Sequence, residues 1–263
     1  MGIVDESTIR AERLDFLEMV DAVDAAGDQF IAQLNELEPA DGERAAPGLT
    51  WTVGEVAAHM LNIVNRGLGD RRRSETIPGL ADLNKLCVSE VDTRVPAEIA
   101  DRIKADKATL VGILRGHDPE AAAQRTFPLH GGLVTNVPSA LSYMLFDFLG
   151  HGLDVARGTD REWQIDPEYA ALDLHAILPI LGPWADAAVL AGPPQRLAIS
   201  FRGDGDAIVV ELGDGEYRAQ NYSRDEVDDV AEVDPVATFL AIAGREPASN
   251  PVAARLASWF NPI

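Results

Sequence analysis

Residues 138–160, PSALSYMLFDFLGHGLDVARGTD, constrain this chain more than any other stretch. Leu141, Met144, Leu145, Phe148, Gly152 and Val155 recur at helical spacing, which predicts one amphipathic helix. Asp147, His151 and Asp154 are set into that apolar stripe at spacings of four and three, so their side chains share one helix face. A carboxylate and an imidazole four residues apart can share a divalent metal, because both donor types suit zinc and its neighbours. The same pair can also be a hydrogen-bonded couple inside a core. A third ligand from elsewhere in the chain decides between the two.

The rest of the chain bounds the answer. Its 263 residues are enough for one large domain or two, and 46% hydrophobic with 25% charged residues is ordinary for a globular protein. The net charge of −21 divides almost evenly between residues 1–160 and 161–263. Neither part is basic, which argues against nucleic acid or an anionic membrane as partner. A single cysteine, Cys87, excludes an internal disulfide framework and a multi-cysteine zinc site, and no activating base stands beside it. No apolar run approaches the roughly 20 residues a membrane span needs, and the N-terminus lacks a signal region. The expectation is a cytoplasmic protein.

Four long helices are predicted in the first part. Residues 8–36 carry Leu14, Phe16, Leu17, Val20, Val23, Phe30, Ile31 and Leu34 as an apolar face. Thr52 and Glu55 read as a capping box opening a second helix to Gly67 or Gly69, with Trp51 placed as a hydrophobic staple. Pro96 to His117 gives a third, with Ile99, Ile103, Ala108, Leu110, Val111 and Leu114 inward. Residues 71–95 are mixed: Arg71 to Arg73 suggest a solvated helix end and Pro78-Gly79 a turn. TFPLHGGLVTNVP reads as a short hairpin or ordered loop leading into the fourth helix. Helices so arranged make a bundle, in which ligands project inward from facing helices. The tail differs. Asp166-Pro167 opens a helix containing His175, and three strand-like runs follow, RLAISFRG, DAIVVELG and EYRAQNY, separated by Gly203-Asp204-Gly205 and Gly213-Asp214-Gly215. Asp234-Pro235 and Asn250-Pro251 then cap two more helices. The fold class is α+β, divided at 1–160 and 161–263.

His59 lies in the second helix among apolar neighbours, with Glu55 and Arg66 on roughly its face. Taken alone it reads as a core histidine or a ligand. Two stretches bear on that choice, Trp51-Thr52 with Val56 and His59, and Asp147-Phe-Leu-Gly-His151 with Asp154 and Arg157. Together they resemble the DinB-like four-helix bundles, in the branch of mycothiol-dependent maleylpyruvate isomerases and related thiol transferases. The ending VDPVATFLAIAGREP, with Gly244-Arg245, is similar to that family's ending, where a small sterol-carrier-like α+β domain follows the bundle. The resemblance implies that His59, Asp147 and His151 bind a divalent metal, zinc in the family. It implies mycothiol or a similar thiol as cosubstrate. Asp147 stands where the family's isomerase usually carries glutamate; one methylene shorter, it shifts the ion or demands closer helices.

Three protein ligands leave a fourth position open, as in catalytic rather than structural zinc. A thiol there is activated as thiolate, and in the family reaction it adds to a cis double bond, the new single bond rotates, and elimination gives the trans isomer. The partner implied is a small, acidic or electrophilic substrate for a monomer or homodimer. Arg66 and Arg245 are the candidate cations for its carboxylates, since guanidinium pairs with carboxylate in a fork. Asp154 either orients a ligand histidine or pairs with Arg157. His117, His130 and His175 match no ligand position and read as loop or core histidines. Water in the open position makes a zinc hydrolase with Glu55 as the placed base. A non-catalytic binding protein with a vestigial metal site is the third reading.

Overall fold

The computed structural model describes residues 16–201 and 205–261. The start of the first predicted helix, including Leu14, the N-terminal segment read for signals, and Gly203-Asp204 of the first turn lie outside the described residues. Two compact units are present, Phe16–Gln164 and the residues from Ile165 on.

The first unit is a bundle of α1 (Phe16–Asn35), α2 (Val53–Gly67), α4 (Pro96–Arg115) and α6 (Val137–Thr159), with α3 (Pro78–Ser89) packed against α2 and a short α5 (Pro119–Gln124) beside α6. α1 and α2 each contact both α4 and α6, so the apolar stripes close around one core. Phe30 of α1 and Phe148 of α6 meet there with ring centroids 5.8 Å apart. The capping box at α2 forms in full: Thr52 Oγ1 accepts from Glu55 N and Glu55 Oε2 accepts from Thr52 N. α6 is one unbroken helix, with Asn136 capping Ser139 N and Asp160 ending it at a left-handed φ of 56°. The GGL loop is a hairpin tip: β1 (Thr126–Pro128) pairs antiparallel with β2 (Val134–Asn136), and Gly131 and Gly132 between them adopt φ of 71° and 73°.

Four expectations are corrected here. Pro78 begins α3 rather than a turn, because proline's fixed φ suits the first helical position. Arg71 to Arg73 therefore lie in an irregular strip, where Arg72 pairs with Asp70 and Glu90 and Arg73 donates to the carbonyl of Pro128. Leu17 is exposed and Met19 fills the core position. On α4, Ala108 is exposed and Lys107 is buried in its place.

The second unit begins with α7 (Pro167–Ile177), capped by Asp166, and continues through two 3-10 turns to α8 (Ala187–Leu190). Its sheet runs β5-β4-β3-β6, from β3 (Gln195–Ser200), β4 (Asp206–Gly213), β5 (Glu216–Ser223) and β6 (Ala231–Glu232). β3, β4 and β5 form an antiparallel meander, and β6, which carries no sequence signal at two residues, adds in parallel to β3. α9 (Pro235–Ile242) packs on α7 and on α10 (Pro251–Ala257), burying Phe239 and Trp259. His175 sits inside this unit, its Nδ1 2.8 Å from Asn221 Oδ1. No helix among the described residues is long and apolar enough to cross a membrane.

Candidate metal centre

α2 and α6 carry the candidate ligands. His59 lies in the second turn of α2, and Asp147 and His151 lie one turn apart on α6. One donor atom from each comes within 4.8 Å of the other two. His59 Nε2 is 3.9 Å from one Asp147 oxygen and His151 Nε2 is 3.9 Å from the other. Those separations are too long for hydrogen bonds, so the core hydrogen-bond reading of Asp147 with His151 is not what the side chains form. Tetrahedral zinc with bonds of about 2.1 Å spaces its ligand atoms about 3.4 Å apart. Two imidazoles and one carboxylate are a suitable donor set for such an ion, and the two Nε2 atoms flank the carboxylate from opposite helices.

The two histidines are held differently. Asp154, only 1% exposed, places Oδ2 2.9 Å from His151 Nδ1. That contact fixes the proton on Nδ1 and leaves the Nε2 lone pair directed at Asp147, the usual arrangement behind a ligand histidine. Asp154 thus stands against His151. His59 has no such support: its Nδ1 is buried without a hydrogen-bond partner. Packing holds the ring instead, under Trp51 at 5.0 Å between centroids and edge-on to His151 at 5.0 Å. Trp51 therefore packs on the imidazole, a ring contact with no signature in residue spacing. Burial pushes the His59 imidazolium well below its ordinary range, with His151, Arg66 and His130 adding repulsion. His59 is neutral at pH 7, as a ligand must be.

Asp147 is the partly open member of the three, its side chain 20% exposed. Glu55, the base considered for a hydrolase, is engaged in the capping box. It also borders a cleft of about 320 Å³ with Trp51, Lys85 and Arg94. Arg66 shares the α2 face with His59 and is buried. Arg245 lies in the second unit, half-buried on the turn after α9, with Nη1 donating to the carbonyl of Ala243. Cys87 is buried and His117 exposed. His130, read as a loop or core histidine, projects from the hairpin tip onto Arg66, a contact across 64 residues with no local signal.

The family described as the mycothiol maleylpyruvate isomerase N-terminal domain matches residues 23–156. No curated protein matches the chain. Two solved structures are similar, a mycothiol-dependent maleylpyruvate isomerase and a histidine-to-alanine mutant of it. Each is 13% identical, with a TM-score of 0.55, and the alignment covers 92% of this chain and 97% of the other.

Proposed function

Since that match spans half its residues, this chain belongs to the mycothiol maleylpyruvate isomerase N-terminal domain family, and on that premise we propose that it is a metal-dependent enzyme using mycothiol or a similar thiol. The reaction is cis–trans isomerisation or S-transfer on a small electrophilic acid. The observation that carries this reading is the convergence of His59, Asp147 and His151 at distances that suit a shared ion and not hydrogen bonds. A divalent metal, zinc in this reading, supplies the positive charge that keeps a thiol ionised at neutral pH.

The chain's own residues do the rest. His59, Asp147 and His151 would hold the ion, and Asp154 keeps the proton of His151 on Nδ1 so that Nε2 stays available as a ligand. Trp51 shields the His59 side from water. A bound thiol would supply a nucleophilic sulfur that adds reversibly to the acceptor's double bond, so that rotation and elimination would give the trans product and return the thiol. Arg66 and Arg245 receive carboxylates of the acceptor. The hydrolase alternative is the weaker one, since its only placed base, Glu55, already accepts the N–H of Thr52. In this reading residues 1–160 are the metal-binding bundle and 161–263 a C-terminal α+β domain, in a cytoplasmic protein.

Elemental analysis of the purified protein tests the centre first. About one metal per chain is expected, and His59→Ala, Asp147→Ala and His151→Ala should each lose it while retaining helical circular dichroism. Stoichiometric metal in all three variants would sink the triad. On the cobalt-substituted protein a small thiol should raise a thiolate-to-metal charge-transfer band; metal without that band removes the thiol chemistry. Arg245→Ala should raise KM for an acidic acceptor about tenfold without changing metal content, and an unchanged KM takes Arg245 out of the site.

A further inference from the structure

Two turns beyond His59, about 10 Å along the helix axis, α2 carries Arg66, which is 8% exposed. Its Nη2 donates to Asn84 Oδ1 of α3 at 2.7 Å, and its Nη1 lies 3.2 Å from His130 Nε2. Its Nε is buried with no hydrogen-bond partner. No carboxylate among the described residues forms an ion pair with it. Asp70 feels the Arg66 charge only from beyond contact and is itself bound to Arg72, and a buried guanidinium with no contacting counter-ion is costly.

His130 compounds the imbalance. Its Nδ1 faces the N–H of Ser74 at 3.0 Å, while its Nε2 faces Arg66 Nη1. A neutral imidazole has one acceptor nitrogen and one N–H, yet both nitrogens here meet donors. One of the two contacts therefore sets N–H against N–H. Protonation brings no relief, since it would add another donor. Burial, with Arg66 and Arg73, in any case pushes His130 down to about 4. The hairpin tip cannot easily turn away either: Gly131 N donates to Ser74 O at 2.8 Å, pinning the tip to the same residue. The cluster has an excess of donors and of positive charge, and what it lacks is an anionic acceptor.

We propose that Arg66 and His130, with Asn84 orienting the guanidinium, form the seat for a carboxylate of the acceptor. A carboxylate oxygen entering between Arg66 Nη1 and the N–H on His130 Nε2 satisfies both donors and neutralises the charge. The seat lies on the same face of α2 as His59, so the acid is held beside the metal triad. Calling the ligand the acceptor rests on the thiol-transfer reading; the seat itself does not.

Maleate, a small dicarboxylate, serves as probe in calorimetric titration of the metal-loaded protein with no thiol present. Wild type should bind it. Arg66→Met should weaken binding about thirtyfold and His130→Phe about tenfold, the scale of lost charge-assisted hydrogen bonds. Arg66→Lys should recover part of the loss. Metal content, and the thiol-induced cobalt band where wild type shows it, should not change in any of them. Failure of wild type to bind maleate, or equal binding by Arg66→Met and His130→Phe, overturns the seat. If those two variants do not fold, Asn84→Ala on the half-buried α3 replaces them: weaker binding supports the seat and unchanged binding overturns it. If the cobalt band never appears but maleate binding still tracks Arg66, the seat stands and the thiol reading falls.

Discussion

Lys107 and Arg66 are both buried cations of the bundle, and the regions around them solve the problem of charge in opposite ways. At the contact of α4 with α1, the Lys107 ammonium meets the carboxylate and carbonyl of Asp24 and, at 2.8 Å, the carboxylate of Asp28. Arg115 closes the same network through Asp21 and Asp24. Every charge there has an opposite neighbour, and the arrangement explains itself as a clamp between two helices. On the α2 face Arg66 has an amide oxygen, an ambivalent imidazole and an empty Nε. The difference teaches how to tell a cation that holds the fold from one that awaits a ligand: the first is complete within the chain and the second is not.

Substitution by methionine, similar in length and uncharged, separates the two. Lys107→Met leaves Asp24 with Arg115 alone and should cost about 2 kcal/mol, less than breaking a fully buried pair because Asp28 and Arg115 reach solvent. Arg66→Met removes an unneutralised charge, so stability should stay within about 1 kcal/mol of wild type or rise. Chemical denaturation of both variants checks this, and a larger loss at Arg66 than at Lys107 breaks the comparison.

The pH dependence of stability should divide along the same line, with smaller effects. Burial alone would raise the Asp24 carboxyl, but the hydrogen bond and charge of Lys107, then Arg115, outweigh it and hold it below its ordinary 3.8. The stability this contributes is complete above about pH 4 and is lost as pH falls through the lowered value. Lys107→Met should flatten that acid limb. His130, down at about 4 from an ordinary 6.5, acts in another window. Between 6.5 and about 4 the unfolded chain takes up a proton that the folded chain refuses, so this stability is lost as the pH is lowered from 6.5 towards 4. His130→Phe should remove that part of the slope and leave the limb below pH 4 untouched. Denaturant midpoints measured from pH 7 to 3 resolve both, and one slope shared by the two variants would join what is here held apart.

Much of this was legible in the chain before folding. The spacing of Asp147, His151 and Asp154 and the capping box at Thr52 are short-range facts, and short-range facts survive into the structure. α3 escaped notice because Ile77 before Pro78 offers no capping side chain, leaving proline as the only punctuation. Ala108 was expected inward and Lys107 was not, since the carboxylates that draw Lys107 in lie about 80 residues earlier on α1. His130 was set aside for the same reason. Its meaning comes from Arg66, and a sequence read along its length has no term for a neighbour across the bundle.

Trp51 leaves the protein with a built-in optical reporter. Its indole lies 5.0 Å from the His59 ring and 6.4 Å from that of His151, close enough for excitation to pass to any coloured or paramagnetic ion held between them. Cobalt or copper at the triad would darken this indole's emission far more than zinc, and subtracting the spectrum of Trp51→Phe would isolate it from the other three tryptophans. Ion exchange at the centre thereby becomes something to watch in real time, in a cuvette, without a label.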